Sequence, residues 1–96
     1  MIQGYMYILE CSDGSLYTGS AKNLQKRLEE HQAGAGSIHT SKRLPIKLVY
    51  YEEFARIDWA FAREKQIQGW SRKKKLALIN NQKELLPFLS KSKNDQ

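Results

Sequence analysis

Apolar and polar positions alternate along the first part of the chain and predict two strands. Aromatic, β-branched and other apolar side chains recur at a period of two from Tyr5 to Cys11, which is typical of a pleated segment with two different faces. Residues 12–15, Ser-Asp-Gly-Ser, supply turn chemistry, because Asp can bond its own backbone and Gly accepts a positive φ. Residues 16–19 return as a second strand. The pattern predicts an N-terminal β-hairpin.

The period then changes to that of a helix. Leu24 and Leu28 are four residues apart on the apolar side of a predicted helix that spans about residues 23–33. Asn23 or Ser20 is the candidate N-cap, since either side chain can accept a hydrogen bond from the first unpaired amides of a helix. We therefore expect one amphipathic helix directly after the hairpin.

A loop and a third strand follow this helix. Residues 35–45 are polar and basic without periodicity, so we expect a loop there. Residues 48–54 are rich in residues that suit a pleated surface and predict the third strand. Near the end of the chain, residues 85–89 predict a last turn of helix and residues 90–96 a frayed tail.

Two helices are predicted between the third strand and the end. Asp58 is the expected N-cap of the first, which runs to about residue 69, and Ser71 is the expected N-cap of the second, over residues 72–80. The apolar residues of each stripe are expected to be buried, namely Ala60, Phe61 and Ile67 in the first helix and Leu76 and Ile79 in the second.

These elements follow the order β-β-α-β-α-α, which predicts an α+β fold. Because the first two strands form a hairpin and the third returns after a helix, we expect a small three-stranded, mostly antiparallel sheet flanked by helices. A chain of 96 residues leaves room for one hydrophobic core. We therefore expect a single domain over residues 1–89 and a disordered tail over residues 90–96.

The charge of the chain indicates a polyanionic partner. It carries 16 Lys and Arg against 10 Asp and Glu, a formal net charge of +6, and such a surface attracts nucleic acid. The lone Cys11 excludes an internal disulfide, and no cluster of Cys and His indicates structural zinc. No segment reaches the roughly 18 apolar residues of a membrane span, and no secretory leader precedes the first strand. We therefore expect a cytoplasmic protein without a membrane partner.

Several side chains are candidates for chemistry, and each has a plain structural alternative. The five tyrosines would serve equally as core aromatics with a polar tip. Arg27 and His31 are one helical turn apart, as on any solvated helix face. Glu64 lies between two basic neighbours and suits a surface ion pair. Four adjacent cations at residues 72–75 open a predicted helix near its positive dipole end, which favours an anionic partner.

Several common catalytic templates do not occur in the sequence. There is no GxxxxGK[ST] phosphate loop, no Rossmann fingerprint, no HExxH and no GxSxG nucleophile elbow. Composition and spacing alone therefore lead no further than a basic α/β domain with nucleic acid as its candidate partner.

The order and spacing of several motifs resemble the GIY-YIG nuclease superfamily. In chain order they are YMYIL at 5–9, LYTG at 16–19, the helix positions Asn23, Arg27 and His31, and AREKQI at 62–67 followed by WSRKK at 70–74. The last two are similar to the stand-alone, single-domain bacterial branch of the superfamily. The resemblance covers about residues 4–80 and implies a GIY-YIG domain that is an endonuclease, with DNA favoured over RNA as substrate.

The resemblance assigns roles to five residues, which we expect to converge on one concave face. Tyr7 would orient water or substrate, and Tyr17 would be the general base. Arg27 would hold phosphate oxygens with its planar fork, and Glu64 would bind Mg²⁺ or Mn²⁺. A phenol is almost wholly protonated at neutral pH, so Tyr17 needs help from Arg27, from the metal or from a proton relay through His31. The sequence leaves open whether Tyr17 takes the proton itself or the metal activates the water.

Some positions depart from the family pattern. Tyr5 stands where the glycine of the first motif would be, Thr18 replaces the isoleucine of the second, and Ser20 lies where some relatives have a basic residue. The asparagine that many relatives have late in the domain has no counterpart at the matching position of this chain. These departures bear on catalytic rate more than on fold. They keep open a second hypothesis, a non-catalytic nucleic-acid-binding module with a degenerate GIY-YIG site.

Basic residues outside the motif positions are the expected nucleic-acid track. Their side chains would neutralise phosphates and release counterions on binding. The predicted track consists of Lys42, Arg43, Arg72, Lys73, Lys74 and Lys75.

Overall fold

A three-stranded antiparallel sheet forms the centre of the protein. The computed structural model describes residues 1–80. Strand β1 spans Gly4–Glu10, β2 spans Leu16–Ala21 and β3 spans Lys47–Phe54. The strand order is β2-β1-β3, so that β1 is central and β2 and β3 are the edges. The predicted α+β class and three-stranded sheet are confirmed.

The hairpin turn between β1 and β2 has the predicted chemistry. Asp13 accepts hydrogen bonds from the backbone amide and from the hydroxyl of Ser15, at 3.0 and 2.7 Å. Gly14 has φ 84°, in the left-handed region that glycine enters without steric cost. The turn thereby sets the register in which Tyr7 opposes Gly19 and Leu9 opposes Tyr17.

Four helices complete the described part of the chain. They are α1, Leu24–Gln32; α2, Ile38–Ser41; α3, Ile57–Gln68; and α4, Arg72–Ile79. Asn23, and not Ser20, is the N-cap of α1, and its side chain accepts a 3.0 Å hydrogen bond from the amide of Lys26. Ser71 caps α4 as expected, through the amide of Lys74 at 3.2 Å. The order β-β-α-β-α-α holds, with the short α2 added before β3.

The loop predicted over residues 35–45 contains this additional helix. Ser37 caps α2 by accepting a 3.1 Å hydrogen bond from the amide of Thr40. A single helical turn leaves no periodic pattern in the sequence, so its only local signal is the serine cap.

Two predictions about α3 are wrong, and the prediction about α4 is confirmed in part. The N-cap of α3 is Arg56, and Asp58 lies within the first turn, where it pairs with the Arg56 guanidinium at 2.8 Å. Ala60 and Ile67 are buried as expected, but Phe61 is 51% exposed, because α3 turns a narrower stripe toward the sheet than its apolar residues suggest. In α4 the buried residues are Ala77 and Leu78, whereas the predicted Ile79 is partly buried against the same core.

The two faces of the sheet are covered by different helices. Residues Met6 and Ile8 of β1 pack with Ile67 of α3 and Leu78 of α4. On the opposite face, Tyr7, Leu9, Cys11 and Ile46 form a second cluster, against which Leu24 and Leu28 of α1 pack. The alternating side chains predicted for β1 therefore belong to two separate cores, one on each face of the sheet. The predicted helical turn at 85–89, the tail at 90–96 and the domain end at 89 lie outside the described residues.

Candidate functional site

A buried hydrogen bond joins the first motif to α1. The Tyr7 hydroxyl and His31 Nε2 are 2.9 Å apart, and neither side chain is more than 1% exposed. His31 Nδ1 lies 2.8 Å from Thr40 Oγ1 on α2. Gly36 packs so closely on the imidazole that a Cβ at this position would collide with the ring. Hydrogen bonds at both ring nitrogens and the close contact with Gly36 therefore fix the position of the His31 ring.

Burial favours the neutral form of both groups. It lowers the pKa of His31 below its ordinary value of 6.5, and the positive charge of Arg27 lowers it further, against a smaller effect of Glu30. Burial also raises the pKa of Tyr7 above 10.0, although Arg27 opposes this change. Either tautomer of the neutral imidazole fits, because the Tyr7 and Thr40 hydroxyls can each donate or accept.

Tyr17 packs against both histidines of the chain. Its ring meets that of His31 edge to face with centroids 5.4 Å apart, and it lies nearly parallel to that of His39 at 6.0 Å. His39 Nε2 is 3.0 Å from the Ser15 hydroxyl in the hairpin turn. Tyr17 is partly exposed, in contrast to Tyr7. His39 was not among the predicted site residues, because the break between α1 and α2 leaves no helical spacing that connects it to His31.

Arg27 reaches the same group from α1. Its Nη1 donates to Glu30 Oε1 at 2.9 Å and its Nη2 donates to the Gly36 carbonyl at 3.1 Å. Its charge also acts on the Tyr7 hydroxyl. The Arg27 side chain is 32% exposed, and a guanidinium has five N–H donors. The arginine is thus fixed in place with donors left for a ligand.

Glu64 approaches from the other side of the sheet. It lies on α3, and its carboxylate accepts hydrogen bonds from the Ser20 hydroxyl at 2.5 Å and from Gln68 Nε2 at 2.7 Å. Gln68 Nε2 also lies 3.3 Å from the carbonyl of Thr18. Ser20 and Gln68 therefore orient the carboxylate beside edge strand β2. Neither residue was predicted to have this function, although Gln68 lies one helical turn after Glu64.

The five predicted site residues lie on both faces of the sheet. Tyr7, Tyr17, Arg27 and His31 lie on the α1 side, whereas Glu64 belongs to α3. The Tyr7 hydroxyl lies over Gly19, where a Cβ would come within 2.5 Å of it, and Ser20 is the next residue of β2. The charges of Tyr17 and Glu64 both contribute to the raised pKa of Tyr7. That all five residues line one concave face of the molecule stays a prediction.

The Glu64 carboxylate suits a hydrated divalent ion more than a site enclosed by protein ligands. Residues 1–80 contain no group of three or more His, Cys, Asp or Glu side chains that could surround a metal. Mg²⁺ commonly keeps several waters and uses one or two carboxylates. Each Glu64 oxygen retains a lone pair beyond the hydrogen bond that it accepts, so the donor set fits such an ion.

The residues of the predicted basic track have different surroundings. Arg43 pairs with Asp13 at 3.0 Å, and Arg72 Nη1 donates to the Gly14 carbonyl at 2.8 Å, so both flank the hairpin turn. The Lys74 amine lies 4.4 Å from the Trp70 ring centroid, and burial lowers the pKa of Lys75. Lys42 and Lys73 are exposed. The fold thus brings Arg43 and Arg72, one from each segment of the track, to the same turn. Several cations of the track already have partners within the protein.

A family model matches the segments of the chain that form this site. The model of the GIY-YIG catalytic domain matches residues 3–77, a range that contains both tyrosine motifs, α1 and α3. The chain belongs to the GIY-YIG family. It is therefore a member of a nuclease superfamily whose substrates are nucleic acids.

Relatives of this GIY-YIG domain include small bacterial proteins of similar length. A UPF0213 protein of Staphylococcus saprophyticus is 48% identical over 80 residues, covering 83% of this chain and 98% of the relative. A UPF0213 protein of Staphylococcus aureus strain Mu50 is 47% identical over 75 residues, covering 78% and 92%. The solution NMR structure of the UPF0213 protein BH0048 from Bacillus halodurans has 38% identity and a TM-score of 0.53, covering 80% and 82%. The similarity to a stand-alone bacterial branch is confirmed.

Among residues 1–80, none of the helices has the length and apolar character needed to span a membrane.

Proposed function

We propose that this GIY-YIG domain is a divalent-metal-dependent endonuclease that hydrolyses phosphodiester bonds in nucleic acid, with DNA as the substrate. The observation that carries the proposal is the arrangement about β2. Tyr17, Arg27 and Glu64 are partly exposed, while Tyr7 and His31 are buried next to Tyr17 and Arg27. Groups that contact a phosphate are thus backed by groups that hold them.

Arg27 is the proposed phosphate clamp. Hydrolysis of a phosphodiester places growing negative charge on the phosphoryl oxygens, and donors fixed in advance stabilise that charge. Glu30 and the Gly36 carbonyl use two of the guanidinium N–H groups and hold its plane. The guanidinium also interacts with the Tyr7 hydroxyl, which lies over Gly19 of β2. A lysine has no planar fork with which to meet both sets of partners.

Tyr17 is the proposed base that takes the proton from the attacking water. Of the two motif tyrosines, it has exposed surface, whereas Tyr7 is 1% exposed and bonded to His31. Its ring is fixed between the rings of His31 and His39.

Tyr7 and His31 are proposed as positioning residues. Their 2.9 Å hydrogen bond ties β1 to α1, and the second nitrogen of His31 ties α1 to α2. Since the imidazole is neutral, it adds no positive charge that would repel Arg27. This pair therefore sets the position of Arg27 relative to Tyr17 without contact to the substrate.

Glu64 is the proposed ligand for Mg²⁺ or Mn²⁺. When bound, the ion would supply charge stabilisation for the phosphoryl oxygens and the leaving oxygen. The protein supplies an oriented carboxylate for this ion. Ser20 on β2 and Gln68 on the next turn of α3 hold the carboxylate in place through hydrogen bonds.

The test compares Glu64→Gln with a matched glutamate. Glu29 is the control, because on α1 it also accepts a hydrogen bond from a glutamine four residues away, Gln25 at 3.2 Å. Initial cleavage rates are measured over a Mg²⁺ and Mn²⁺ titration on duplex, single-stranded and branched DNA and on RNA. Binding is measured in parallel by gel shift in EDTA.

Glu64→Gln should lower the cleavage rate by at least about a hundredfold and leave binding in EDTA nearly unchanged. Glu29→Gln should change neither. Equal cleavage by the wild type and Glu64→Gln would refute the metal assignment. Binding without cleavage of any substrate by the wild type would favour the non-catalytic binding module.

A further inference from the structure

One stripe of α3 carries the candidate metal ligand together with an exposed aromatic ring. Phe61, Glu64, Lys65 and Gln68 are spaced i, i+3, i+4 and i+7 and so lie along one side of the helix. Glu64 bonds Ser20, and Gln68 reaches the Thr18 carbonyl. This side of α3 therefore runs along edge strand β2, beside the proposed site.

The exposed apolar ring of Phe61 lies next to a positively charged side chain. It is 51% exposed, and the Lys65 amine lies 4.8 Å from its centroid. The proposed function makes no use of either side chain. An exposed ring beside a cation is the arrangement with which proteins hold single-stranded nucleic acid, since the ring stacks on a base and the cation neutralises a phosphate.

We propose that Phe61 stacks on an unpaired nucleobase next to the phosphate held at the proposed site, while Lys65 contacts the neighbouring phosphate. Side chains three residues apart on a helix have Cβ atoms about 5–6 Å apart. The ring and the carboxylate can thus contact adjacent parts of one nucleotide unit. This inference rests on the proposed function and adds to it a contact to the base.

The charge beside the ring favours nucleic acid over a protein partner. Lys65 is a cation over the Phe61 ring in a chain of net charge +6, whereas the core of a protein interface is depleted in charged residues. The other exposed aromatic of α3 differs. The Arg56 guanidinium, 5.4 Å from the Trp59 ring centroid, already forms two hydrogen bonds of 2.9 and 2.8 Å with Asp58.

Trp59 provides a matched control. It is 53% exposed, comparable with Phe61, but two residues correspond to a rotation of about 200° around a helix. Trp59 therefore lies away from the stripe that borders β2. Its replacement removes a similar area of exposed aromatic surface from the same helix.

The experiment is a fluorescence anisotropy titration of labelled single-stranded DNA in EDTA at low salt. The full chain is compared with Phe61→Leu, Phe61→Trp and Trp59→Leu. Phe61→Leu should weaken binding by about fivefold or more, which corresponds to the loss of one stacked base. Phe61→Trp should keep or strengthen binding, and Trp59→Leu should leave it unchanged. Circular dichroism verifies the folding of each variant.

An abasic oligomer of the same length separates base contacts from phosphate contacts. The wild type and Phe61→Leu should bind it equally, while Lys65→Gln should bind both oligomers more weakly with a shallower salt dependence. Equal binding of ordinary DNA by the wild type and Phe61→Leu would refute the stacking and leave the endonuclease proposal standing. Absence of wild-type binding to any nucleic acid would refute both. Conversion of a dimer to a monomer by Phe61→Leu in sedimentation would assign the ring to self-association and overturn the inference.

Discussion

The Ser20 hydroxyl donates a 2.5 Å hydrogen bond to Glu64 Oε1 and so connects edge strand β2 to α3. In the proposed site this bond orients a metal ligand, and partners of this kind contribute to both metal affinity and rate. Ser20→Ala should therefore reduce cleavage about tenfold and raise the Mg²⁺ concentration needed for half-maximal rate. Ser20→Thr keeps a hydroxyl and should retain more activity. A wild-type rate and Mg²⁺ dependence in Ser20→Ala would show that Ser20 does not orient the metal ligand.

The absence of a side chain at Gly19 leaves room for the Tyr7 hydroxyl. An alanine Cβ at position 19 would lie 2.5 Å from that hydroxyl, which is held by His31. Gly19→Ala should lower the free energy of unfolding by about 1–3 kcal/mol, because an overpacked core must shift. The control is Gly69→Ala, whose Cβ would meet its nearest atom at 3.6 Å. Urea unfolding of both variants measures the difference, and equal stability would contradict the steric argument.

The depressed pKa of His31 predicts a loss of stability in mild acid. Above the unfolded pKa of about 6.5 the imidazole is neutral in both states, and its contribution is fully present. As the pH falls toward the lower pKa of the folded state, the unfolded chain binds the proton first, so the free energy of unfolding decreases. The decrease between pH 7 and pH 5 should be smaller in His31→Gln. His39→Gln is the control, and an unchanged decrease in His31→Gln would contradict this assignment.

Thr18 and Thr40 provide opposite tests of buried hydroxyls. Thr18 is 3% exposed, and its hydroxyl has no hydrogen-bond partner among residues 1–80. Thr18→Val keeps the shape and should raise the free energy of unfolding by about 1 kcal/mol. Thr40 bonds His31 and Ser37, so Thr40→Val should lower it by about 1–3 kcal/mol. Thermal unfolding of both variants checks the signs, and a destabilised Thr18→Val would indicate a partner for that hydroxyl.

Lys73 and Lys74 should differ although they are adjacent in the sequence. Lys73 is exposed, whereas the Lys74 amine lies over the Trp70 ring. Lys73→Gln should weaken nucleic-acid binding and reduce the slope of log K against log salt by about one, without loss of stability. Lys74→Gln should also destabilise the fold, because the cation–π contact is lost. Lys26→Gln, an exposed lysine outside the predicted track, is the control, and an equal slope change in this variant would contradict the track.

Local features of the sequence determined most of the element order. Asn23 and Ser71 cap their helices as predicted, and the turn at Asp13 and Gly14 closes the hairpin. Each of these signals depends on neighbours within a few residues, so it can be interpreted without a fold. The period of two in β1 likewise appears in the structure as two separate cores.

Only the tertiary structure decided which side of each element is buried and how the site is assembled. Phe61 is apolar yet exposed, because burial depends on how α3 is rotated against the sheet. Glu64 reaches β2 from the opposite side to Arg27 through Ser20, a residue 44 positions away in the sequence. Tyr7 and Tyr17 look alike in the sequence, but only Tyr7 is buried against His31. These properties follow from contacts between distant segments, and no local pattern of residue types specifies them.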